Sequence, residues 1–479
     1  MAGATAPPRA LAIDLDGTLI ATDLLIESSL ALVARNPLMV FALAAWALRG
    51  KAELKRRVAA RIAVDAPNLP YAPRVVALAR EARAAGREVV LATGSPQPWA
   101  EAVAGHLGCF DRVLATADGA NLTASRKARA LVARYGERGF DYAGNAGIDG
   151  AVWRVAQGAI VVDPLPGAVR AARGAPELIA TIDERPPRAV SLLHALRPHQ
   201  WAKNLLVFLP LLTAHRLADP AALVPGIVAF VALCLVASAV YLVNDLADLA
   251  HDRVHPGKRR RPLASGALPL QYALVAAPAL LVAGLLVASV LPVGFFVLVI
   301  AYFVATLAYT FGVKRVAILD VIVLALLYTI RVLAGAAAVQ VVASFWLLAF
   351  CTFLFLSLAM AKRQVELERL AAADVAAPGG RGYVAADAPI VASLGVAAGM
   401  ASVLVLALYI DSAAVAALYR SPHLLWPLCV LQLYWIARLW LLAHRGELHD
   451  DPVVFALKDR ASLVLAVLAA AIIFVATRA

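Results

Sequence analysis

A chain of 479 residues that is 62% hydrophobic is too apolar to be one ordinary soluble globule. Its net charge of +12 would suit nucleic acid, but no recognisable nucleic-acid module is present and the basic residues cluster beside apolar runs. The expected partners are therefore anionic phospholipid and phosphorylated substrates. The four cysteines, Cys109, Cys234, Cys351 and Cys429, lack paired spacing and read as core thiols rather than as a disulfide framework or zinc site.

The apolar content is uneven. Residues 1–185 mix charged and apolar stretches as a soluble α/β domain does, 186–200 read as a linker with an interfacial approach, and 201–479 are dominated by long apolar runs. The N-terminus has no apolar h-region, so no cleavable signal is expected. The first strong element is Leu11-Ala-Ile-Asp14-Leu-Asp16-Gly17-Thr-Leu19, a strand ending in two carboxylates and a glycine turn. On an extended chain Asp14 and Asp16 point to the same side, at the edge where an α/β sheet presents its chemistry. A mostly helical insertion follows, about 23–81. Its run Pro37-Leu-Met-Val-Phe-Ala-Leu-Ala-Ala-Trp46-Ala-Leu48 is too short to span a bilayer. We read it as a helix packed in the core of the insertion; the alternative is an interfacial helix pressing on the membrane. A second strand ends at Thr93-Gly94-Ser95, Lys127 follows it, and Tyr142-Ala-Gly144-Asn145-Ala-Gly-Ile-Asp149 closes the series. The proline-stiffened linker Asp183-Glu-Arg-Pro186-Pro187-Arg188 is short and would keep both halves near one membrane surface.

Nine candidate spans follow, near 204–218, 222–244, 271–291, 293–312, 316–339, 343–361, 388–410, 423–443 and 461–477. With the N-terminal domain cytoplasmic, the inner loops hold Lys258 to Arg261, Lys314-Arg315, Lys362-Arg363 and Lys458 to Arg460, while the outer connections are nearly free of Lys and Arg. The positive-inside rule then predicts a multi-pass inner-membrane protein with cytoplasmic active-site loops and an outside C-terminus. Asp320 and Arg331 fall inside the fifth span and should face the bundle interior. Asp320 either joins a metal site or pairs with a cation, and the sequence does not decide between them.

The most informative stretch is Asn244-Asp245-Leu-Ala-Asp248-Leu-Ala-His-Asp252. On a helix, Asp245, Asp248 and Asp252 gather within about 60° of one face. Such a face suits a hard cation such as Mg²⁺, which bridges carboxylates to substrate phosphates. Lys258 and Arg261 follow it, and Lys203, Asn204, Tyr309, Lys314, Lys362 and Arg363 offer further polar groups at the same side of the spans. The bland reading, a solvated acidic-then-basic loop, is disfavoured beside a membrane.

The N-terminal motifs resemble the haloacid dehalogenase (HAD) superfamily. That resemblance implies a Rossmann-like α/β domain with a helical cap, in which Asp14 is the nucleophile, Asp16 the general acid/base, Thr93 and Lys127 the phosphoryl ligands, and Asp14, Asp16 and Asp149 hold Mg²⁺. Asn145 stands where an aspartate is common, and leaves a degenerate phosphatase as an alternative. The C-terminal half resembles the UbiA superfamily of intramembrane prenyltransferases, an all-α bundle of about nine transmembrane helices. Members acting on aromatic rings usually carry a second Asp-x-x-x-Asp motif, whereas Asp320 is followed four residues later by Leu324. Arg197-Pro-x-Gln200-Trp201-x-Lys203-Asn204, Lys258-Arg-Arg-Arg261-Pro, Tyr309-x-Phe-Gly312-x-Lys314 and Lys362-Arg363 are similar instead to its decaprenyl-phosphate phosphoribosyltransferase branch. The resemblance implies phosphoribosyl diphosphate as donor, a polyprenyl phosphate as acceptor, and Mg²⁺ on Asn244, Asp245, Asp248 and Asp252. Lys203, Asn204, Asn244, Lys258, Arg261, Tyr309, Lys314, Lys362 and Arg363 would bind substrate. The fused phosphatase would then remove the 5-phosphate, giving polyprenyl-phosphoryl ribose for cell-envelope glycan synthesis. The alternatives are a prenyltransferase of quinone or haem precursors, and a lipid-binding scaffold in which only the phosphatase is active.

Overall fold

The computed structural model describes residues 9–117, 121–372, 382–448 and 452–478. The chain divides into two compact units, one comprising Met1–Leu196 with Leu242–Ala276, the other Arg197–Tyr241 with Ala277–Ala479.

The first unit is built on six parallel strands, β1 (Ala10–Ile13), β2 (Val89–Pro96), β3 (Arg112–Thr116), β4 (Phe140–Gly144), β5 (Gly158–Val162) and β6 (Glu177–Ile182), in the order β3-β2-β1-β4-β5-β6. The central strands are apolar on both faces because helices cover both; Leu11, Ile13 and Leu91 belong to one core, and Ala12, Val90 and Val161 to the other. The chain winds outward from β1 through β2 to β3, then returns to lay β4 on the other side of β1. That reversal is a topological switch point, where the carboxyl ends of β1, β2 and β4 open a crevice.

The insertion after β1 carries α1 (Leu24–Arg35), α2 (Met39–Leu48) and α3 (Lys51–Ala59). Asp23 caps α1 by accepting from the Ile26 amide. The two connections to the insertion run side by side: Ala21 N donates to Pro70 O at 2.7 Å and Ala72 N to Leu19 O at 3.0 Å. Helix α2 departs from expectation. Met39, Ala42, Leu43 and Trp46 face inward, but of these Trp46 alone is buried, and Leu38, Val40, Phe41 and Leu48 are exposed. The insertion is too small to cover a helix that is apolar on all sides.

Among the described residues, eight helices are long and apolar enough to cross a membrane: Pro220–Ala247, Leu270–Ala288, Val293–Phe311, Leu319–Ala338, Phe345–Ala371, Ala385–Ile410, Pro422–His444 and Arg460–Arg478. The protein is a multi-pass membrane protein. The run expected as a first span, 204–218, forms no long α-helix; a 3₁₀ segment, Pro198–Phe208, leads into the short helix Leu209–Thr213. Pro210 removes a backbone donor from the run, and polar Lys203 and Asn204 are drawn inward. Helix Leu319–Ala338 packs on this segment so closely that a Cβ at Gly335 would collide with the Val207 carbonyl. Small residues serve the same purpose in Ala388–Ile410, where Gly395 and Gly399 admit Trp440 and Ile436 of Pro427–His444.

Candidate active sites

The switch-point crevice assembles the N-terminal motif residues. Asp14, one residue beyond β1, takes a hydrogen bond at Oδ1 from Lys127 Nζ at 2.7 Å, and the same ammonium donates to the Tyr142 hydroxyl at 2.8 Å. Tyr142 in turn donates to Asp149 Oδ1 at 3.0 Å, and Asp149 Oδ2 accepts the Asn145 and Ala146 amides at 3.1 and 3.0 Å. Asp16 accepts from Ser95 Oγ at 2.5 Å and from the Leu24 amide at 2.9 Å. Thr93 is buried, and its hydroxyl accepts the Ser95 amide. Burial pushes the Asp14 carboxyl up to about 6, against the lowering effect of Lys127. It pushes Asp16 up to about 7, with Asp23 adding to the rise. A carboxylate pair at such values suits a nucleophile beside a proton donor.

Three partners here were not legible in the sequence. Tyr142 bridges Lys127 to Asp149, and Ser95 orients Asp16. The third is Lys55, carried by α3 over the crevice, whose ammonium donates to the Gly94 carbonyl and, at 3.0 Å, to Asn121 Oδ1. Burial holds its pKa below the usual lysine value. Nothing in the run Lys51-Ala-Glu-Leu-Lys55-Arg-Arg57 distinguishes Lys55 from its solvated neighbours.

The acidic segment also belongs to the first unit. Helix Pro220–Ala247 ends just before Asp248, and a short helix, Leu249–Val254, begins just after it. The bonds Asp248 N to Asn244 O and Asp252 N to Asp248 O, both 2.9 Å, carry the helical spacing through the break. As a result Asp245 and Asp252, both buried, meet one guanidinium: Arg261 Nη1 lies 3.2 Å from Asp245 Oδ1 and 2.6 Å from Asp252 Oδ2. Asn244, Asp248 and Lys258 are half-buried. Next to Asp252, Arg253 forks onto Glu27 of α1, with Nη2 to Oε2 at 2.8 Å and a second, shorter contact through Nη1; its Nε donates to the Ala264 carbonyl. Thr22 Oγ1 also donates to Glu27. Gly266, at φ +75°, lies against Ala21 where no Cβ would fit.

In the second unit, Arg331 donates to Asn204 Oδ1 at 3.0 Å and to the Tyr302 hydroxyl at 2.9 Å, and Lys203, also buried, lies 5.7 Å from the Tyr328 ring centre. Asp320 is fully buried with Arg363: the ion pair is 2.7 Å, and Tyr383 donates to the other carboxylate oxygen at 2.6 Å. Arg363 also contacts Glu366, and the Tyr309 hydroxyl lies 3.5 Å away. Lys314 and Lys362 are half-buried. Asp320 therefore pairs with a cation, and the guanidinium expected to bind substrate at 363 is committed to internal carboxylates.

A model of the UbiA prenyltransferase family matches residues 206–463, more than half of the chain. The chain belongs to that family. The N-terminal domain is haloacid dehalogenase-like, its hydrolase model matching residues 11–146. Uncharacterized protein y4nM of Sinorhizobium fredii is 36% identical over 462 residues, covering 96% of this chain and 89% of that protein, so the two-domain arrangement is shared. Nodulation protein NoeC of Azorhizobium caulinodans is 38% identical over 270 residues, 56% of this chain and 88% of its own. A decaprenyl-phosphate phosphoribosyltransferase of Mycolicibacterium smegmatis is 40% identical over 191 residues, 38% of this chain and 59% of that enzyme's length. A solved UbiA homolog from Archaeoglobus fulgidus, bound to GPP and Mg²⁺, is 16% identical with a TM-score of 0.45, covering 59% of this chain and 99% of that one.

The chain is thus a UbiA-family membrane enzyme joined to a hydrolase-like domain, and both families typically depend on Mg²⁺. Its acidic clusters have the chemistry for that ion: all-oxygen donors, with Asp149, Asp245 and Asp252 buried and the Asp14 and Asp16 carboxyls raised by burial. Among the described residues, no three acidic, histidine or cysteine side chains already converge as a cage. In each cluster a cation of the chain, Lys127 or Arg261, touches the carboxylates.

Proposed function

We propose that this protein transfers 5-phosphoribose from phosphoribosyl diphosphate to a polyprenyl phosphate, and that its N-terminal domain then removes the 5-phosphate. The observation that carries this reading is the pairing of Asp320 with Arg363. Where ring prenyltransferases usually hold a second acidic metal centre, Asp320 is neutralised by a buried arginine that also contacts Glu366, which leaves the 245–252 segment as the acidic centre for one diphosphate. The similarity to the decaprenyl-phosphate phosphoribosyltransferase supports transfer of a phosphoribosyl group to a polyprenyl phosphate.

In the first step the polyprenyl phosphate oxygen forms a bond to the anomeric carbon as the bond from that carbon to diphosphate breaks, and diphosphate leaves with the electron pair. The attacking phosphate is already anionic, so no strong base is needed. Asp245, Asp248 and Asp252, with Asn244, would hold Mg²⁺, which supplies positive charge to the leaving diphosphate. Lys258, Arg261 and Lys314 would bind phosphates, and Lys203 or Lys362 the lipid phosphate or ribose 5-phosphate. Tyr309 and Asn204 would contribute polar contacts to substrate. In the second step Asp14 attacks the 5-phosphate as Asp16 protonates the departing ribose oxygen. Water, deprotonated by Asp16, then releases inorganic phosphate from Asp14. Thr93 and Lys127 would hold the phosphoryl oxygens. Asp14, Asp16 and Asp149 would hold the second Mg²⁺.

The same reading puts the N-terminal domain and basic loops in the cytoplasm and the C-terminus outside. That arrangement needs 198–213 to cross as well as the eight long helices. At the greater rise of a 3₁₀ helix, that segment reaches about 30 Å, the thickness of the hydrocarbon core.

The test is to incubate purified protein with Mg²⁺, labelled phosphoribosyl diphosphate and a polyprenyl phosphate, then identify labelled lipid by mass. Ribosyl lipid, with or without its 5-phosphate, is expected. Label transfer only from a prenyl diphosphate to an aromatic acceptor would overturn the reading.

A further inference from the structure

We infer that α2 is a membrane-surface helix that seats the cap of the N-terminal domain on an anionic bilayer. Its inner face, Met39, Ala42, Leu43 and Trp46, packs on the core of the domain, and the guanidiniums of Arg61 and Arg57 cover Trp46 at 4.8 and 5.5 Å. Its outer face is equally apolar. Leu38, Phe41, Ala45 and Leu48 recur at helical spacing and are exposed, Leu38 at 69%, Phe41 at 72% and Leu48 at 91%. A soluble domain rarely leaves such a stripe in water.

Charge identifies the occupant. Between Glu27 and Glu53 the only charged residues are Arg35, Arg49 and Lys51, placed just before and just after α2, and all three are exposed. An apolar face with cations at both ends and no acid fits the boundary between anionic headgroups and acyl chains. At ten residues α2 is too short to cross the bilayer. The chain's own spans keep a bilayer always within reach. Because α3 follows α2 directly and carries Lys55 to the crevice, the seated cap would present the phosphatase to substrates carried by lipid. This last consequence rests on the proposed phosphatase step; the seating itself does not.

The experiment uses the full-length protein in phosphatidylcholine–phosphatidylglycerol nanodiscs. A fluorophore is placed through Phe41→Cys, with Glu101→Cys on an exposed helix of the same domain as reference; the four native cysteines are buried. Quenching of the label at 41 by nitroxide-bearing lipid, with protection from aqueous iodide, is expected, and the reverse pattern at 101. Iodide quenching at both positions overturns the inference, as does protein-concentration-dependent energy transfer between copies labelled at 41, which would make a second copy the occupant. In the double variant Phe41→Glu with Leu48→Glu, dephosphorylation of the ribosyl lipid should fall on the order of tenfold while hydrolysis of a soluble phosphomonoester is unchanged. Equal loss on both substrates would mean damage to the domain and overturn the lipid-presentation role. If neither substrate is hydrolysed by wild-type protein, the phosphatase reading fails, and the quenching result still decides whether α2 meets lipid.

Discussion

Asp320 and Arg363 lie with no exposed surface, and such a pair is tightly held because each charge is costly without the other. Asp320→Asn should therefore destabilise the membrane unit by roughly 3 kcal/mol, and Asp320→Leu combined with Arg363→Met should recover most of that loss. Thermal unfolding in detergent reads both. If the double variant is no better than the single, the pair has a role beyond mutual neutralisation. At the other acidic cluster, pH is the probe. An unfolded aspartate titrates near 3.9, whereas folded Asp14 and Asp16 sit at about 6 and about 7. The folded state binds the extra protons, so stability from these groups is greatest below the unfolded value and is lost as pH rises through the folded ones. After chelation of divalent metal, the N-terminal domain's melting temperature should fall between pH 5 and pH 8, and Asp16→Asn should flatten much of that fall. Restoring Mg²⁺ at pH 8 should raise the wild-type melting temperature.

At the scale of elements, α1 and the acidic segment are joined by Glu27 and Arg253, 226 residues apart, and by the close approach of Gly266 to Ala21. Glu27→Gln keeps the shape of the side chain but removes its charge from a mostly buried fork. Hydrogen exchange across 242–268 of the full-length protein should accelerate relative to wild type, whereas exchange across β5 should not. Gly266→Val adds bulk where the backbone is left-handed and the neighbour is main chain. It should cost at least about 1–3 kcal/mol and also loosen this segment. Unchanged exchange in both variants would show that Leu242–Ala276 holds its form without the N-terminal domain.

For the whole molecule, the two proposed steps make ordered predictions. Asp14→Asn should leave transfer intact and accumulate ribosyl lipid that keeps its 5-phosphate. Asp248→Asn should abolish labelled lipid altogether while hydrolysis of a soluble phosphomonoester persists. Mass analysis of the organic phase distinguishes the two, and full dephosphorylation by the Asp14→Asn protein would refute the assigned nucleophile. Much of this architecture was readable in advance, because its signals are local. The Asp14-x-Asp16 strand end, the three aspartates at helical spacing and the long apolar runs each report a short-range regularity of the chain. What the sequence by itself determined was therefore the pair of fold types, the family, and the neighbourhoods of the two acidic clusters. Tertiary structure alone decided which partner each buried charge meets and which apolar face stays uncovered. Asp320 could have joined a metal site until Arg363 was seen against it, and Lys55 was one cation among several until α3 carried it over Gly94. Helix α2 read as a core helix until the cap proved too small to enclose it. The physical reason is common to all three. Hydropathy and charge state the cost of burying or exposing a group, but only the fold supplies the neighbour that offsets that cost.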